Sequence, residues 1–310
     1  MIIREPKVDE TDKIIQLLQS SLGDSLLKKS TKIWNFKHIE NPFGVSPVLV
    51  AEDDGSLIGV RAFMQWRWQL QDKIWVSYRA VDTATHPKHQ GKGVFKTLTL
   101  SALDAVQKLS EGFVFNTPND KSRPGYLKMG WQQVGKIKVA LVPTILYFFT
   151  YLFSRNQFSH NIKLLELENI CEKHNANLAT KNILFTPKSV TYLKWRYEEN
   201  PLQRYIIVSS SNWYVAMYIK KHRFFNELRV VETIGALDKK NEIRQAIVRY
   251  AFQNSCSLIT TANKDLFALQ LYGHYGPMLT FKSLTSSDEF VNKALHIENW
   301  SYSTGDLELF

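Results

Sequence analysis

The sequence predicts an α/β protein in which one unit of strands and helices occurs twice. Two observations lead to this prediction. A strand, a glycine-containing turn and a helix follow one another over residues 81–98, and several features of the first half of the chain recur in the second half. At 310 residues the chain is long enough to bury two ordinary hydrophobic cores, so we predict two domains.

The internal repeat is visible in a helix that ends at the tripeptide Glu-Asn-Pro, at residues 34–42 and again at residues 193–201. An apolar strand, a turn and a second apolar strand follow in each half. These four strands lie at residues 48–51, 57–60, 205–208 and 214–217. We therefore place a first domain at residues 1–145, a connecting segment rich in charged helix-forming residues at 146–180, and a second domain at 181–310.

The strand that precedes the glycine turn rests on the β-branched residues Val81, Thr83 and Thr85. It ends before Pro87, because proline cannot donate a hydrogen bond to the ladder. The helix after the turn rests on the helical spacing of apolar residues from Val94 onwards.

The turn between this strand and helix is suited to bind a phosphate or pyrophosphate. Gly91 and Gly93 carry no side chain that could block an approaching anion, and the first backbone N–H groups of the helix point towards it. Three lysines surround the turn and would add charge-assisted contacts: Lys88, Lys92 and Lys96. The segment lacks both the Lys-Ser/Thr ending of a P-loop and the glycine fingerprint of a dinucleotide-binding fold.

Residues 90–95, Gln-Gly-Lys-Gly-Val-Phe, resemble the pyrophosphate loop of the GNAT acetyltransferases, in which Gln or Arg is followed by two residues, Gly, one residue, and Gly or Ala. The sequence departs from this pattern at the last position, where Phe95 replaces the small residue. The resemblance implies two tandem GNAT-like domains, each a mixed, mostly antiparallel sheet flanked by helices. It also implies acetyl-CoA as the acyl donor.

The second copy offers a poorer anion site. Residues 234–242 contain one glycine, Gly235, before the helix and place the acidic residues Asp238 and Glu242 where a phosphate would lie. Like charges oppose anion binding. We therefore expect acyl-CoA to bind the N-terminal copy, and the C-terminal domain to be a degenerate copy that shapes the substrate cleft.

A second block also resembles the GNAT enzymes. An apolar strand that ends in polar residues spans 113–119, and a short helix closed by glycine follows. In GNAT enzymes this helix carries a tyrosine four residues before a Gly-aromatic pair, and Tyr126 stands at that spacing before Gly130-Trp131. A phenol beside the thioester can protonate the sulfur that leaves after an amine attacks, so Tyr126 is a candidate general acid.

The resemblance further implies that the strand before the loop pairs through its backbone with the pantetheine amides, at Val81 and Thr83. The cofactor-binding residues expected on this basis are Val81, Asp82, Thr83, His89, Gln90, Gly91, Lys92, Gly93, Val94, Phe95, Asn116 and Asn119. We expect direct acyl transfer in a ternary complex, with a carboxylate or a water chain taking the proton of the amine. Asp82 and Glu52 are the candidate bases.

Three function classes are open at this point. The first is an acetyl-CoA-dependent N-acetyltransferase acting on a primary amine of a small molecule, for example an amino sugar. The second is an aminoacyl transferase of the FemABX kind that uses charged tRNA, and the third is a non-catalytic CoA-binding module. The net charge of +10 and the pI near 9.4 favour an anionic partner. The intact pyrophosphate turn favours CoA, so we expect no specific nucleic acid partner.

Cys171 and Cys256 are far apart and have no Cys or His at metal-ligand spacing, so we predict neither a disulfide nor a metal site. The N-terminus lacks the apolar core of a signal peptide, and we expect a cytoplasmic protein. Residues 139–153 are almost entirely apolar but shorter than a membrane-spanning helix requires. We expect no transmembrane span there, and either a linker helix packed between the domains or a contact with a membrane surface or a second copy.

Overall fold

The structure is a computed structural model that describes residues 1–22, 30–154 and 162–307. In chain order its strands are β1 (Ile2–Arg4), β2 (Val48–Asp53), β3 (Ser56–Leu70), β4 (Lys73–Thr85), β5 (Gly112–Asn116), β6 (Gln132–Lys136), β7 (Val139–Pro143), β8 (Leu184–Phe185), β9 (Ile206–Ser210), β10 (Trp213–Lys221), β11 (Asn226–Gly235), β12 (Cys256–Thr261), β13 (Leu271–Gly273), β14 (Met278–Ser283) and β15 (Trp300–Ser301). Its α-helices are α1 (Thr11–Leu22), α2 (Thr31–His38), α3 (Val94–Leu109), α4 (Arg123–Lys128), α5 (Phe148–Phe153), α6 (Leu164–Ala179), α7 (Val190–Leu193), α8 (Lys240–Gln253), α9 (Asp288–Ala294) and α10 (Thr304–Leu307).

Contacts between residues divide the chain into two compact units. The first unit contains residues 1–135 and 277–299, and the second contains residues 136–276 and 300–307.

The first unit is built on a mixed sheet in the order β1-β2-β3-β4-β5-β14-β6. The strands β1 to β4 pair in antiparallel fashion, whereas β4 and β5 run parallel. The long strands β3 and β4 bury Phe63, Trp66 and Tyr78. Helix α3 packs on this sheet through an apolar face that includes Leu98 and Val106, as its helical spacing of apolar residues requires.

The second unit has a sheet in the order β13-β7-β12-β11-β10-β9, in which β11 and β12 run parallel and the other pairs are antiparallel. Its core contains Trp213, Val215, Leu228 and Ile247, the last from α8. Two mostly antiparallel sheets flanked by helices confirm the predicted fold class. The two units also have equivalent strand orders, which is consistent with the tandem arrangement.

One strand of each sheet comes from the other half of the sequence. β7 follows β6 in the chain but pairs with β12 and β13 in the second unit. β14 follows β13 but pairs with β5 in the first unit, where Phe281 lies opposite Phe115. Each sheet therefore contains one strand that the order of the sequence would place in the other sheet.

This exchange moves the domain boundaries away from the predicted ranges. Residues 139–143, placed at the end of the first domain by the sequence, belong to the second unit, and residues 277–299, placed in the second domain, belong to the first. The physical reason is that an apolar strand can satisfy its backbone hydrogen bonds in either sheet. Part of the predicted connection, residues 155–161, and the last three residues, 308–310, lie outside the described residues.

The apolar segment 139–153 forms β7, a turn and α5. Its buried residues Ala140, Val142 and Tyr147 belong to the core of the second unit, and Tyr151 stacks on Phe252 with ring centroids 4.6 Å apart. A run of apolar side chains in the same segment is exposed: Ile145, Leu146, Phe148, Phe149, Leu152 and Phe153. Within residues 1–22, 30–154 and 162–307, no helix has the length and apolar character to cross a membrane.

Candidate functional site

The first unit opens between two parallel strands. β4 and β5 pair only from Val76 to Arg79, opposite Gly112 to Phe115, while β4 continues to Thr85. Beyond Arg79, β4 therefore has no backbone pairing with β5 along this edge. Val81 and Thr83, predicted to contact pantetheine through their backbone, both lie in this diverging part.

A β-bulge lies in the same part of β4. Arg61 of β3 is opposite Thr83 and Ala62 is opposite Val81, so that Asp82 is the extra residue. Its φ of +39° lies in the left-handed region, which is costly for a residue with a side chain. Such bulges persist where surrounding contacts hold them.

The Asp82 side chain supplies those contacts. Its carboxylate forms an ion pair with Lys37 and lies 3.0 Å from Nε2 of His38, both at the end of α2. Burial opposes ionisation of Asp82, but the charge of Lys37 and the hydrogen bond from His38 outweigh it and hold the pKa of Asp82 well below its usual range. Burial lowers the pKa of His38, although the hydrogen bond and charge of Asp82 act against this.

The lowered pKa values of Asp82 and His38 indicate where the hydrogens lie in the connected side chains Asp82, His38 and Ser46. An ionised Asp82 can only accept, so Nε2 of a neutral His38 carries the hydrogen. Nδ1 of His38 then accepts from the hydroxyl of Ser46 at 2.9 Å. Sequence reasoning missed His38 and Ser46, because residues 38, 46 and 82 have no informative spacing and meet only through the fold.

The predicted phosphate turn lies at the start of α3. Gly91 and Gly93 have φ values of +77° and +82°, and a Cβ built on either would meet nothing within 4 Å. Glycine is required there by the backbone conformation, and the space beside it is open. Gly93 is the N-cap of α3 and has no side chain to satisfy the first N–H groups of the helix.

The side chains around this turn are mostly exposed. Lys88, Lys92 and Lys96 reach the surface, as an anion-binding role requires. Gln90 donates a hydrogen bond from its amide to the carbonyl of Thr85 at 3.3 Å, which ties the turn to the end of β4.

Phe95, which departs from the family pattern, turns inward. Its ring meets that of Tyr126 edge-on, with centroids 5.6 Å apart, and therefore packs against α4. Tyr126 also contacts Trp131, with centroids 5.2 Å apart, and is 5% exposed. The structure thus places Tyr126, the predicted general acid, beside the first turn of α3.

Arg61 is a further residue at this site that the sequence analysis missed. Its guanidinium is fully buried, and Nη1 donates to the hydroxyl oxygen of Tyr126 at 2.9 Å and to the hydroxyl of Thr83. The one available signal was an arginine between the apolar residues Val60 and Ala62 of a strand, because arginine is rarely buried without a role.

Three of the predicted site residues, Glu52, Asn116 and Asn119, have side chains that are hydrogen-bonded to other residues of the protein. Glu52 accepts two hydrogen bonds from Arg4, at 2.8 Å and 2.6 Å, and its strand β2 is separated from β4 by β3. Asn116 has its side-chain oxygen bonded by Thr280 of β14. The side chain of Asn119 accepts from the backbone N–H of Ser122 at 2.9 Å, just before α4.

The corresponding turn of the second unit differs. A Cβ on Gly235 would lie 2.7 Å from that of Trp213, so no open space exists beside this glycine. At the start of α8, Glu242 accepts a hydrogen bond from Lys239 at 3.0 Å, which lowers the pKa of Glu242. An ionised carboxylate therefore lies in the first turn of α8, whereas the start of α3 offers Gly93 with open space beside it. In the described part of the chain, no group of three or more His, Cys, Asp or Glu residues could hold a metal ion.

Comparison with known proteins agrees with this geometry. A family profile described as "Acetyltransferase (GNAT) domain" matches residues 2–134. No curated protein matches the chain in sequence. A GCN5-related N-acetyltransferase from Anabaena variabilis superposes with a TM-score of 0.69 at 12% identity, covering 92% of this chain and 73% of that one.

Two further solved structures have the same fold. A protein from Enterococcus faecalis titled "Probable N-Acyltransferase" has a TM-score of 0.68 at 10% identity, with 91% of this chain and 72% of that chain covered. Eis1 from Mycobacterium abscessus has a TM-score of 0.58 at 12% identity, with 96% and 76% covered. These superpositions show the fold alone, and the family match over residues 2–134 adds the acyltransferase class. Residues 2–134 are therefore an acetyltransferase domain of the GNAT family.

Proposed function

We propose that the protein transfers an acetyl group from acetyl-CoA to the primary amine of a small molecule, by direct attack in a ternary complex. The observation that carries this proposal is the turn at Gly91 and Gly93, with open space beside both glycines at the start of α3. It adjoins the diverging end of β4, and Phe95 of the same helix contacts Tyr126.

Different residues of the first unit would bind different parts of acetyl-CoA. The N–H groups at the start of α3 and the exposed lysines Lys88, Lys92 and Lys96 would hold the pyrophosphate. The free edge of β4 at Val81 and Thr83 would pair with the pantetheine amides. Asn116 and Asn119 are engaged by Thr280 and Ser122, so in this proposal they shape the site through those contacts.

Tyr126 is the proposed general acid, and the base is assigned to a water chain. A carboxylate whose pKa is held low is a weak base, and Asp82 is such a group. Glu52 is paired with Arg4 on a strand that is not adjacent to β4. In this proposal Asp82 stabilises the bulge of β4, and water accepts the proton of the amine.

The second unit would not bind acyl-CoA, because Gly235 has no open space and Glu242 repels phosphate. Both free cysteines, Cys171 and Cys256, are buried, which fits a reducing compartment. We therefore propose that the reaction takes place in the cytoplasm. The acceptor class in this proposal is a small amine such as an amino sugar.

Calorimetric titration with acetyl-CoA tests the donor. Saturable binding of one acetyl-CoA per chain is the expected result, and thioester consumption in the presence of a panel of amines would then establish turnover. Binding without consumption would identify a non-catalytic CoA-binding module. Absence of binding, together with aminoacyl transfer from charged tRNA, would identify the FemABX type of reaction and refute the proposal.

A further inference from the structure

Arg61 is a buried cation that forms no ion pair with a carboxylate in the described part of the chain. The residue is 0% exposed, and its side chain has hydrogen bonds only from Nη1, to Tyr126 and Thr83. Nε and Nη2 have no hydrogen-bond partner among the described residues. Three aromatic rings surround the guanidinium instead, those of Phe63, Tyr126 and Phe95, with centroids 4.8, 5.4 and 5.9 Å from its central carbon.

This arrangement lowers the stability of the folded protein. A buried guanidinium loses its hydration, and aromatic faces replace only part of that interaction. An apolar side chain of similar volume would pack at this position without that loss. A charge retained under these conditions is expected to interact with negative charge that is absent from the resting protein, and the neighbouring hydroxyl of Tyr126 indicates where that charge arises.

We propose that Arg61 is a positioning residue that prepares Tyr126 and the surrounding site for the departure of the coenzyme A thiolate. This inference rests on the proposed function. Arg61 donates to the oxygen of Tyr126, and a guanidinium cannot accept a hydrogen bond. The phenolic hydrogen must therefore point away from Arg61 and is free to reach the sulfur. The uncompensated positive charge stabilises the negative charge that develops there.

The amine nitrogen forms a bond to the acyl carbon, the carbon–sulfur bond breaks, and its electron pair stays on sulfur. The proton of Tyr126 then moves to the sulfur, and the resulting phenolate is held by the hydrogen bond from Arg61. Water takes the proton that the amine loses and returns one to Tyr126. Arg61 donates no proton in this sequence.

The proposal predicts that the pair formed by the bound coenzyme A thiol and Tyr126 gives up part of one proton on binding, because Arg61 stabilises the negative charge on either atom. A fall in the pKa of this pair from well above 8 to about 8 would leave roughly half of it ionised at pH 8. Binding at pH 8 should then release about half a proton per coenzyme A. Acetyl-CoA carries the same phosphates but no ionisable thiol, so its binding should not show this release.

The experiment is calorimetric titration of the full chain with coenzyme A and with acetyl-CoA, at pH 8 in two buffers that differ in ionisation enthalpy. The difference in proton release between the two ligands is the readout. Arg61→Met should abolish this difference, while Arg61→Lys, which keeps the charge, should retain most of it. In steady-state assays Arg61→Met should also lower kcat at least tenfold, and much less in a Tyr126→Phe background.

Two results would overturn the inference. One is an equal proton release for coenzyme A and acetyl-CoA with the unmodified protein, a comparison that does not depend on the folding of any variant. The other is an unchanged difference in a folded Arg61→Met variant. Failure of acetyl-CoA to bind at all would instead refute the proposed function, so the two failures are distinguishable.

Discussion

Nε2 of His38 lies 3.0 Å from a carboxylate oxygen of Asp82, and this contact joins the end of α2 to the bulge of β4. The second unit contains a comparable pair, in which the hydroxyl of Tyr197 donates to Glu232 at 3.0 Å, beside the register shift between β10 and β11. His38 and Tyr197 both stand two positions before the glutamate of a Glu-Asn-Pro tripeptide. In each unit a side chain just before this tripeptide therefore contacts a carboxylate that lies at an irregular position of a strand.

The Asp82 contact predicts a pH-dependent loss of stability. Asp82→Asn removes the carboxylate that pairs with buried Lys37 and should lower the free energy of unfolding by about 3 kcal/mol at pH 7. The pKa of Asp82 is lower in the folded protein than in the unfolded chain, so its contribution is complete above the unfolded pKa, about 3.9, and is lost as the pH falls below it.

Urea unfolding of the unmodified protein and the Asp82→Asn variant at pH 7 and at pH 3.5 measures this effect. The difference between the two proteins should be smaller at pH 3.5. Asp72→Asn, in the exposed turn between β3 and β4, is the matched control and should change stability by less than about 0.5 kcal/mol at either pH. A difference that grows on acidification would contradict the prediction.

Gly93→Val should weaken acetyl-CoA binding at least tenfold, about 1.4 kcal/mol, because the side chain would fill the open space where the pyrophosphate is expected. A valine at φ +82° is also strained, so part of any effect could be a loss of stability. Gly55→Val is a control for this strain, since Gly55 has φ +74° and open space in a different turn.

Calorimetric titration and thermal melting of both variants separate the two effects. Both should melt at a lower temperature, and only Gly93→Val should lose affinity for acetyl-CoA. An equal loss of affinity on changing Gly235, with Gly93→Val silent, would place the donor site in the second unit.

Tyr126→Phe should lower kcat by roughly 10²-fold while acetyl-CoA affinity stays nearly unchanged. The ring contacts with Phe95 and Trp131 do not depend on the hydroxyl, so the site should keep its shape. Loss of the hydrogen bond from Arg61 should cost about 1 kcal/mol of stability.

Steady-state kinetics under conditions where chemistry limits the rate, together with calorimetric titration, test this prediction. Tyr147→Phe removes another buried hydroxyl, which accepts from the N–H of Leu269 in the second unit, and should leave kcat unchanged. A Tyr126→Phe variant with full kcat would remove this phenol from the proposed reaction.

The exchanged strands predict how the first unit can be isolated. A fragment of residues 1–145 lacks β14, which pairs with β5 and buries Leu279 and Phe281. It should therefore fail to fold cooperatively. Residues 1–135 joined through a Gly/Ser linker to residues 277–299 restore that strand and should fold.

Circular dichroism and thermal melting of the two fragments provide the measurement. A cooperative transition for the 1–145 fragment, equal to that of the joined fragment, would mean that β14 is dispensable for the first sheet. As a linker control, the same Gly/Ser extension without residues 277–299 should not rescue the fold.

The features that were predictable from the sequence are local ones. Gly91 and Gly93 adopt positive φ, and this preference belongs to glycine itself. The strand and helix over 113–131 follow from apolar patterning and a closing glycine, and both are present as β5 and α4. The fold class, the glycine turn before α3 and the position of Tyr126 on a short helix could therefore be inferred before any coordinates.

The remaining features depend on contacts between residues distant in sequence. The backbone groups that pair strands are the same in almost every residue, so no local pattern by itself directs β7 to β12 or β14 to β5. The ionisation of Asp82 is set by Lys37 and His38, more than forty positions away, which is why the sequence suggested a base where the fold holds a fixed anion. Arg61 became a candidate only once the fold was known. Its burial, the aromatic rings around it and the lack of an ion pair with any described carboxylate all arise when the chain packs.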